Sequence, residues 1–282
     1  MKKNNKLSHL TLLKKEQNKK IPRNKSEINK RSMRAYYEQY WYGEKFLYEF
    51  FDIKKIKDKS VLEIGPAEAG LLKFFQEKGA HTTGIELSPL RFSHSELLNN
   101  LNQLKLLTGD ICDKQSYKQL HNKKYDFIII RDVIEHIDDK FNALKNMYDL
   151  LSDEGQLFIS FPPKYCPYAG HQQTIKNNIG KIPYIHLLPN FLYKRFLSFV
   201  NHPKESIGYL LATKSTRISV SGMKKLFAKS NFIIKKNNLY FLRPAYKFRF
   251  NLPTFKNPFS KIPFFNEIFT NGALFVLIKN KK

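Results

Sequence analysis

The sequence predicts an α/β fold built on a mostly parallel sheet with helices on both faces. Three features predict it. From Ser60 onward, short apolar runs alternate with stretches of helical length, and strands interleaved with helices imply right-handed βαβ connections. The first apolar run ends in a turn of small residues, Gly65 to Gly70, that leads into a helical stretch. Acidic residues stand at the ends of successive runs, the edge at which sheets of this kind bind ligands.

The elements follow in order. Residues 1–31 are rich in Lys and Asn, lack apolar periodicity and are expected to form a basic mobile tail. Residues 32–59 hold a dense aromatic group, from Tyr36 and Tyr37 to Phe50 and Phe51, spaced to pack helices on the domain that follows. A helix that also covers a ligand pocket is the alternative. The main domain is expected over 60–282. Its strands are Val61–Ile64, Thr82–Glu86, Leu104–Thr108, Phe127–Ile130 and Leu157–Phe161; its helices are Gly70–Lys78, Pro89–Leu101, Lys114–Leu120 and Lys140–Leu151. The alternation breaks after Phe161. An insertion over about 162–213 carries Pro, Gly, Tyr, His and Phe. Within it, Phe191–Val200 is a short amphipathic run that reads as a lid helix or as a membrane contact. A helix at Ser221–Ser230 and a strand at Phe232–Ile234 resume the pattern. A second insertion, about 239–270, is rich in Phe and Pro and interleaves them with Arg243, Lys247, Arg249, Lys256 and Lys261. These cations suit a phosphate or pyrophosphate, or form a solvated rim. Ala273–Ile278 is the final strand.

A chain of 282 residues, 42% hydrophobic and 14% aromatic, can bury a core, which excludes a globally disordered protein. The 2 cysteines, Cys112 and Cys166, form no CxxC pair. Neither a disulfide framework nor a zinc pattern is expected, and a reducing compartment fits. The apolar run Leu10 to Leu13 is too short for a signal-peptide core, and no run approaches the roughly 18 apolar residues of a membrane span. The expected location is the cytoplasm, with peripheral membrane contact left open. The formal net charge of +25, from 49 Lys and Arg against 24 Asp and Glu, has three open readings: compositional bias with solubility, an anionic membrane or lipid-linked substrate, and nucleic acid.

The first strand and its turn read Val61-Leu62-Glu63-Ile64-Gly65-Pro66-Ala67-Glu68-Ala69-Gly70, a form that lets backbone approach a ligand closely. Glu86 ends the second strand, where an acid can accept from both hydroxyls of a ribose. That pair alone also suits a dinucleotide. Glu63 separates the readings, because dinucleotide loops usually place an apolar residue there, whereas a ligand carrying sulfonium and ammonium charges gains from a carboxylate. Gly109-Asp110-Ile111 follows the third strand, where an acid can accept from an adenine amino group. The fourth strand and its turn run from Asp126 to Arg131-Asp132-Val133-Ile134-Glu135-His136.

Together, in order and spacing, these stretches from about Val61 to Pro163 resemble the class I S-adenosylmethionine-dependent methyltransferases. The resemblance is to the branch with a D/E-V-I-E-H signature after strand four, which is similar to O-methyltransferases of bacterial polysaccharide loci and of ubiquinone precursors. It implies a Rossmann-like, mostly parallel seven-stranded sheet with an antiparallel last strand inserted beside the fifth, Ala273–Ile278 being placed for it, and the aromatic insertions forming a cap. It also implies S-adenosyl-L-methionine as methyl donor. Glu63, Gly65, Pro66 and Ala67 would then hold its methionine part, Glu86 with Leu87 its ribose, Asp110 and Ile111 its adenine, and Arg131 and Asp132 would close the methionine side. The chain departs from the family at Ala67 and Ala69, where glycines are common; alanine resists left-handed angles, so the turn is expected to differ slightly.

Three candidate catalytic residues remain: Glu135, His136 and, in the first insertion, His171. On a helical turn Asp132, Glu135 and His136 share a face. They can act in acid–base chemistry on an acceptor hydroxyl, hold a divalent metal with His171 or His186, or brace the helix start. The expected function is methyl transfer to a hydroxyl of a sugar, glycan or lipid-linked small molecule. The alternatives are an RNA methyltransferase, a non-catalytic cofactor-binding protein and, disfavoured by Glu63 and by alanine at position 67, a nicotinamide-linked oxidoreductase. Nucleic acid is the less favoured partner because no separate RNA-binding module is readable.

Overall fold

The computed structural model describes residue 16 and residues 20–51, 55–99, 104–172, 175 and 178–281. Helix α1 (Lys30–Tyr42) is capped by the Asn29 side chain, which accepts from Ser32 N, and a π-helical turn, Gly43–Leu47, carries the chain on to Phe50. The domain then runs β1 (Ser60–Ile64), α2 (Gly70–Glu77), β2 (His81–Glu86), α3 (Pro89–Leu98), β3 (Lys105–Thr108), β4 (Tyr125–Arg131), α4 (Lys140–Leu150) and β5 (Leu151–Phe161). The cap contributes α5 (Asn190–Phe199) and α6 (Lys204–Thr216); α7 (Val220–Lys229), β6 (Phe232–Leu242), α8 (Ala245–Phe250), β7 (Phe255–Lys256), α9 (Phe265–Ile268) and β8 (Gly272–Lys279) complete the fold.

The strands form one sheet in the order β3-β2-β1-β4-β5-β8-β6-β7. The pairs from β3 to β5 are parallel, and β8 lies antiparallel between β5 and β6. The antiparallel last strand beside the fifth is therefore where the family pattern puts it. The strand number is corrected from seven to eight among the described residues, because the two-residue β7 pairs with the free edge of β6. The side-chain alternation of β1 divides the core. Leu62 and Ile64 face a cluster with Leu144 and Met147 of α4 and Phe227 of α7. Val61 faces a second cluster with Leu71 and Phe75 of α2 and with Tyr42, Leu47 and Phe51 of the N-terminal cover.

Other departures have local causes. β6 continues to Leu242 rather than stopping at Ile234. Its middle, Lys235 to Asn238, is polar and carries a bulge opposite β8, so main-chain pairing, not apolar alternation, holds it. β5 starts at Leu151 rather than at Leu157, its first residues, Ser152-Asp153-Glu154, being polar and without apolar alternation. Lys114–Leu120 is a 3-10 helix broken at Tyr117, whose φ is −132° and whose ring is buried. The expected end of the helix at Leu101 lies outside the described residues, as does most of the expected tail. Within 20–31, Pro22 and Ile28 are buried.

The cap builds a small core of its own. Tyr193, Leu197 and Val200 pack with Ile207 and Leu210, so α5 lies on α6. No helix among the described residues is long and apolar enough to cross a membrane.

Candidate active site

All the candidate cofactor-binding and catalytic residues open on one cavity of about 2380 Å³, except Pro66. The ring of Pro66 lies instead against β2, within 2.9 Å of where a Cβ on Gly84 would stand. The turn after β1 keeps a glycine-like path without the glycines: φ is +67° at Gly65, +52° at Ala67 and +60° at Ala69. Left-handed alanine costs about 1 kcal/mol each. Hydrogen bonds hold the path, Ala69 N donating to Pro66 O at 2.8 Å and Ala67 N to Glu86 Oε2 at 2.9 Å. A Cβ on Gly65 would stand 2.7 Å from Val133 Cγ2, so this position needs glycine for space as well as for angle. Gly70 is required for a different contact. A Cβ there would lie 2.1 Å from Tyr36 O, and its N–H donates to Gln39 Oε1 at 2.9 Å. The N-terminal cover is thereby seated directly on the turn.

Glu63 is buried, and no hydrogen-bond partner reaches its Oε2 among the described residues. Burial raises its carboxyl to about 8, against the pull of Arg131 and with a smaller push from Glu86. A dry, half-satisfied acceptor is costly unless a donor meets it, and a cationic ligand supplies that donor. Glu86 is fixed by accepting Ala67 N and, at 2.8 Å, Ser88 N, each oxygen keeping a lone pair. Burial raises its pKa too, opposed by Arg91. Asp110 accepts Cys112 N at 2.8 Å, and Ile111 is buried with its carbonyl taking Asn146 Nδ2 at 2.7 Å. Leu87 lines the wall beside Glu86. The orphaned Glu63 oxygen and the tight glycine cradle fit S-adenosylmethionine.

The far side of this end is held by ion pairs that sequence reasoning missed. Asp132, at φ +56°, pairs with Arg243 from the end of β6; burial would raise its carboxyl, but Arg243 and Arg131 hold it below the usual range. Glu38 of α1 accepts Arg249 Nε and Nη2 at 2.6 and 2.9 Å, and Arg131 Nη1 lies 3.4 Å away. The Arg131 guanidinium also sits 4.6 Å from the ring centre of Tyr42. Arg243 and Arg249, which suited phosphate in the sequence, are thus both paired to carboxylates. Glu38 was hidden in an aromatic-rich helix. The signal that could have found it is a lone acid facing the same way as Tyr42, four residues on.

At the other end stand the candidate catalytic residues. Glu135 and His136 lie on a one-turn 3-10 helix, Ile134–His136, after β4, and His171 follows β5 in the first insertion. The His136 and His171 rings meet edge to face with centres 5.1 Å apart. Burial, then Arg217 and His171, push the His136 imidazole well below its ordinary range, so it is neutral at pH 7. Glu135 is fully enclosed; its Oε1 lies 3.6 Å from Arg217 Nη1 and 3.9 Å from His136 Nε2. Burial raises this carboxyl to about 7 despite Arg217. Tyr209 and Thr213 of α6 complete the wall. The sequence did not reveal α6, because Gly208 and two threonines obscure its pattern.

His186 does not join them. It is buried, with Nε2 3.0 Å from Lys164 O and Nδ1 3.4 Å from Gln172 Nε2, and burial pushes it down to about 4. The metal alternative that used it is therefore corrected: His186 braces the cap. Among the described residues no group of three or more His, Cys, Asp or Glu is placed to hold a metal ion.

A model of the methyltransferase domain family matches residues 33–234, and the chain belongs to that family. With this fold, it is a class I S-adenosylmethionine-dependent methyltransferase. Among solved structures, it is similar to the plantazolicin methyltransferase BamL, crystallised with a triazolic desmethylPZN analogue and SAH. The two are 14% identical over 89% of this chain and 86% of that one, with a TM-score of 0.51. It is also similar to the plantazolicin methyltransferase BpumL with a triazolic analogue and SAH, 15% identical over 90% and 87%, with a TM-score of 0.52. These likenesses are of fold. No curated protein matches the chain in sequence.

Proposed function

We propose that this methyltransferase acts on a hydroxyl of a sugar, glycan or lipid-linked small molecule, with His136 or His171 receiving the proton. The observation that carries the reading is the contact of the two imidazoles on the wall of the cavity that holds Glu63 and Glu86. S-adenosylmethionine, when bound, supplies an electrophilic methyl group. Glu63 meets its cationic end, Glu86 its ribose and Asp110 with Ile111 its adenine, while Arg131 and Asp132 close the methionine side. A neutral imidazole accepts a proton from a hydroxyl as its oxygen attacks, and His136 is held neutral by burial and by Arg217. Glu135, beside both Arg217 and His136, positions the pair. Tyr168 and Tyr209 give the acceptor space aromatic walls beside its histidines, a lining suited to a polar ring.

Replacing His136 or His171 by Ala should lower turnover by ~10²–10⁴-fold if that residue is the base, with affinity for S-adenosylhomocysteine unchanged. The assay follows labelled methyl from S-adenosylmethionine into fractionated cell extract. Full turnover in both variants would leave proximity and orientation as the source of rate, and label entering only an RNA fraction would replace the acceptor class.

A further inference from the structure

The segment between β6 and β8 is more exposed than its composition should allow. Phe264 is 69% exposed, Phe250 63% and Phe255 52%, and Phe259, Ile262 and Phe265 are exposed as well. Three of the rings are contiguous: Phe259 lies 5.9 Å from Phe265 between centres, and Phe264 lies 5.9 Å from Phe265. Phe264 also holds a φ of +69°, unfavourable for a bulky side chain, and its ring still points to solvent. Isolated surface hydrophobics need no explanation, but a contiguous patch marks an interaction surface.

Charge selects the occupant. From Phe241 to Asn266 the charged residues are Arg243, Lys247, Arg249, Lys256 and Lys261, and none is acidic. Arg243 and Arg249 turn inward to Asp132 and Glu38, whereas Lys247, Lys256 and Lys261 are exposed among the rings. The cap repeats the pattern. On α5, Phe191 and Phe199 are exposed beside exposed Lys194 and Arg195. Aromatic rings interleaved with exposed ammonium groups suit the interface of a bilayer, where rings sit at headgroup depth and cations meet lipid phosphate. Position selects it too. Arg249 and Phe250 in the first part of the segment, and Asn271 at its end, line the active-site cavity.

We infer that the face formed by residues 250–265 docks on an anionic lipid bilayer and brings the cavity mouth to the membrane surface. This deepens the proposed acceptor class and rests on it, since a mouth at the headgroup level serves a hydroxyl carried by a lipid. A soluble acceptor needs no such face.

Co-sedimentation with vesicles tests the inference without any acceptor, so its failure leaves the hydroxyl-acceptor reading standing. The intact protein should sediment with vesicles of phosphatidylglycerol and phosphatidylcholine, and much less with phosphatidylcholine alone. Phe255→Ser with Phe264→Ser should reduce partitioning by about tenfold or more, as expected for two interfacial anchors. Lys256→Glu with Lys261→Glu, which leaves every ring in place, should do the same, since each cation near an anionic surface is worth about fivefold. Ile233→Ser, an exposed apolar residue at the opposite end of β6, should change nothing. Absence of vesicle binding by the intact protein would overturn the inference, as would binding that survives both double variants. So would a concentration-dependent dimer in sedimentation that the Phe255 and Phe264 pair abolishes while vesicle binding persists, which would make the face a contact with a second copy.

Discussion

Glu63 and Glu86 begin as similar groups, carboxylates at or near the ends of neighbouring strands, and the fold gives them different work. Glu86 is clamped by two backbone N–H groups and is a ready acceptor. Glu63 has an oxygen unmet among the described residues and a carboxyl raised to about 8 by burial. A cation binding beside Glu63 favours the ionised form, so the folded protein must release a proton there when the ligand binds below that pKa. Affinity for S-adenosylmethionine should therefore weaken as pH falls below about 8, where Glu63 is protonated in the free protein. Calorimetry at pH 7 in two buffers of different ionisation heat should reveal a proton released on binding; equal heats would show that Glu63 is already ionised. The acids were readable in the sequence because each follows a short apolar run. The left-handed alanines at 67 and 69 were not expected to keep the glycine path, since the backbone hydrogen bonds that hold them are invisible in a sequence.

At the scale of elements, the alternation from β1 to β5 was legible because parallel strands are buried on both faces and leave continuous apolar runs. The polar centre of β6 and the helix α6 were not, because antiparallel pairing and cap packing stabilise them without a clear period. The junction between α1 and the turn after β1 was equally hidden, as contacts between distant segments carry no local signal. It is tight: Gly70→Ala would drive a methyl into Tyr36 O. Overpacking of this kind costs about 1–3 kcal/mol, so the variant should show a lowered denaturation midpoint with the slope unchanged. An unaltered midpoint would mean that the cover is not seated on the turn. Glu38 adds an electrostatic tie from α1 to α8 and β4, and its own burial makes that tie sensitive to loss of a partner.

Across the whole molecule, one cavity joins the two functions. Its volume of about 2380 Å³ exceeds the roughly 300–1,000 Å³ of a single small-molecule site, leaving space for a donor at the β1–β2 end and a sizeable acceptor under the cap. In the proposed reading the lining residues divide accordingly: Glu63, Glu86 and Asp110 at the donor end, His136 and His171 with Tyr209 at the other. The identity of the acceptor was the least legible property, because cap aromatics serve equally as core and as pocket wall. The central claim, a methyl donor bound at Glu86, is tested most directly by titrating S-adenosylhomocysteine into the intact protein, Glu86→Ala and His136→Ala by calorimetry. Losing a charged acceptor costs about 1.5–3 kcal/mol, so Glu86→Ala should bind roughly tenfold to hundredfold more weakly and His136→Ala should match the unaltered protein. Unchanged affinity in Glu86→Ala would contradict the account.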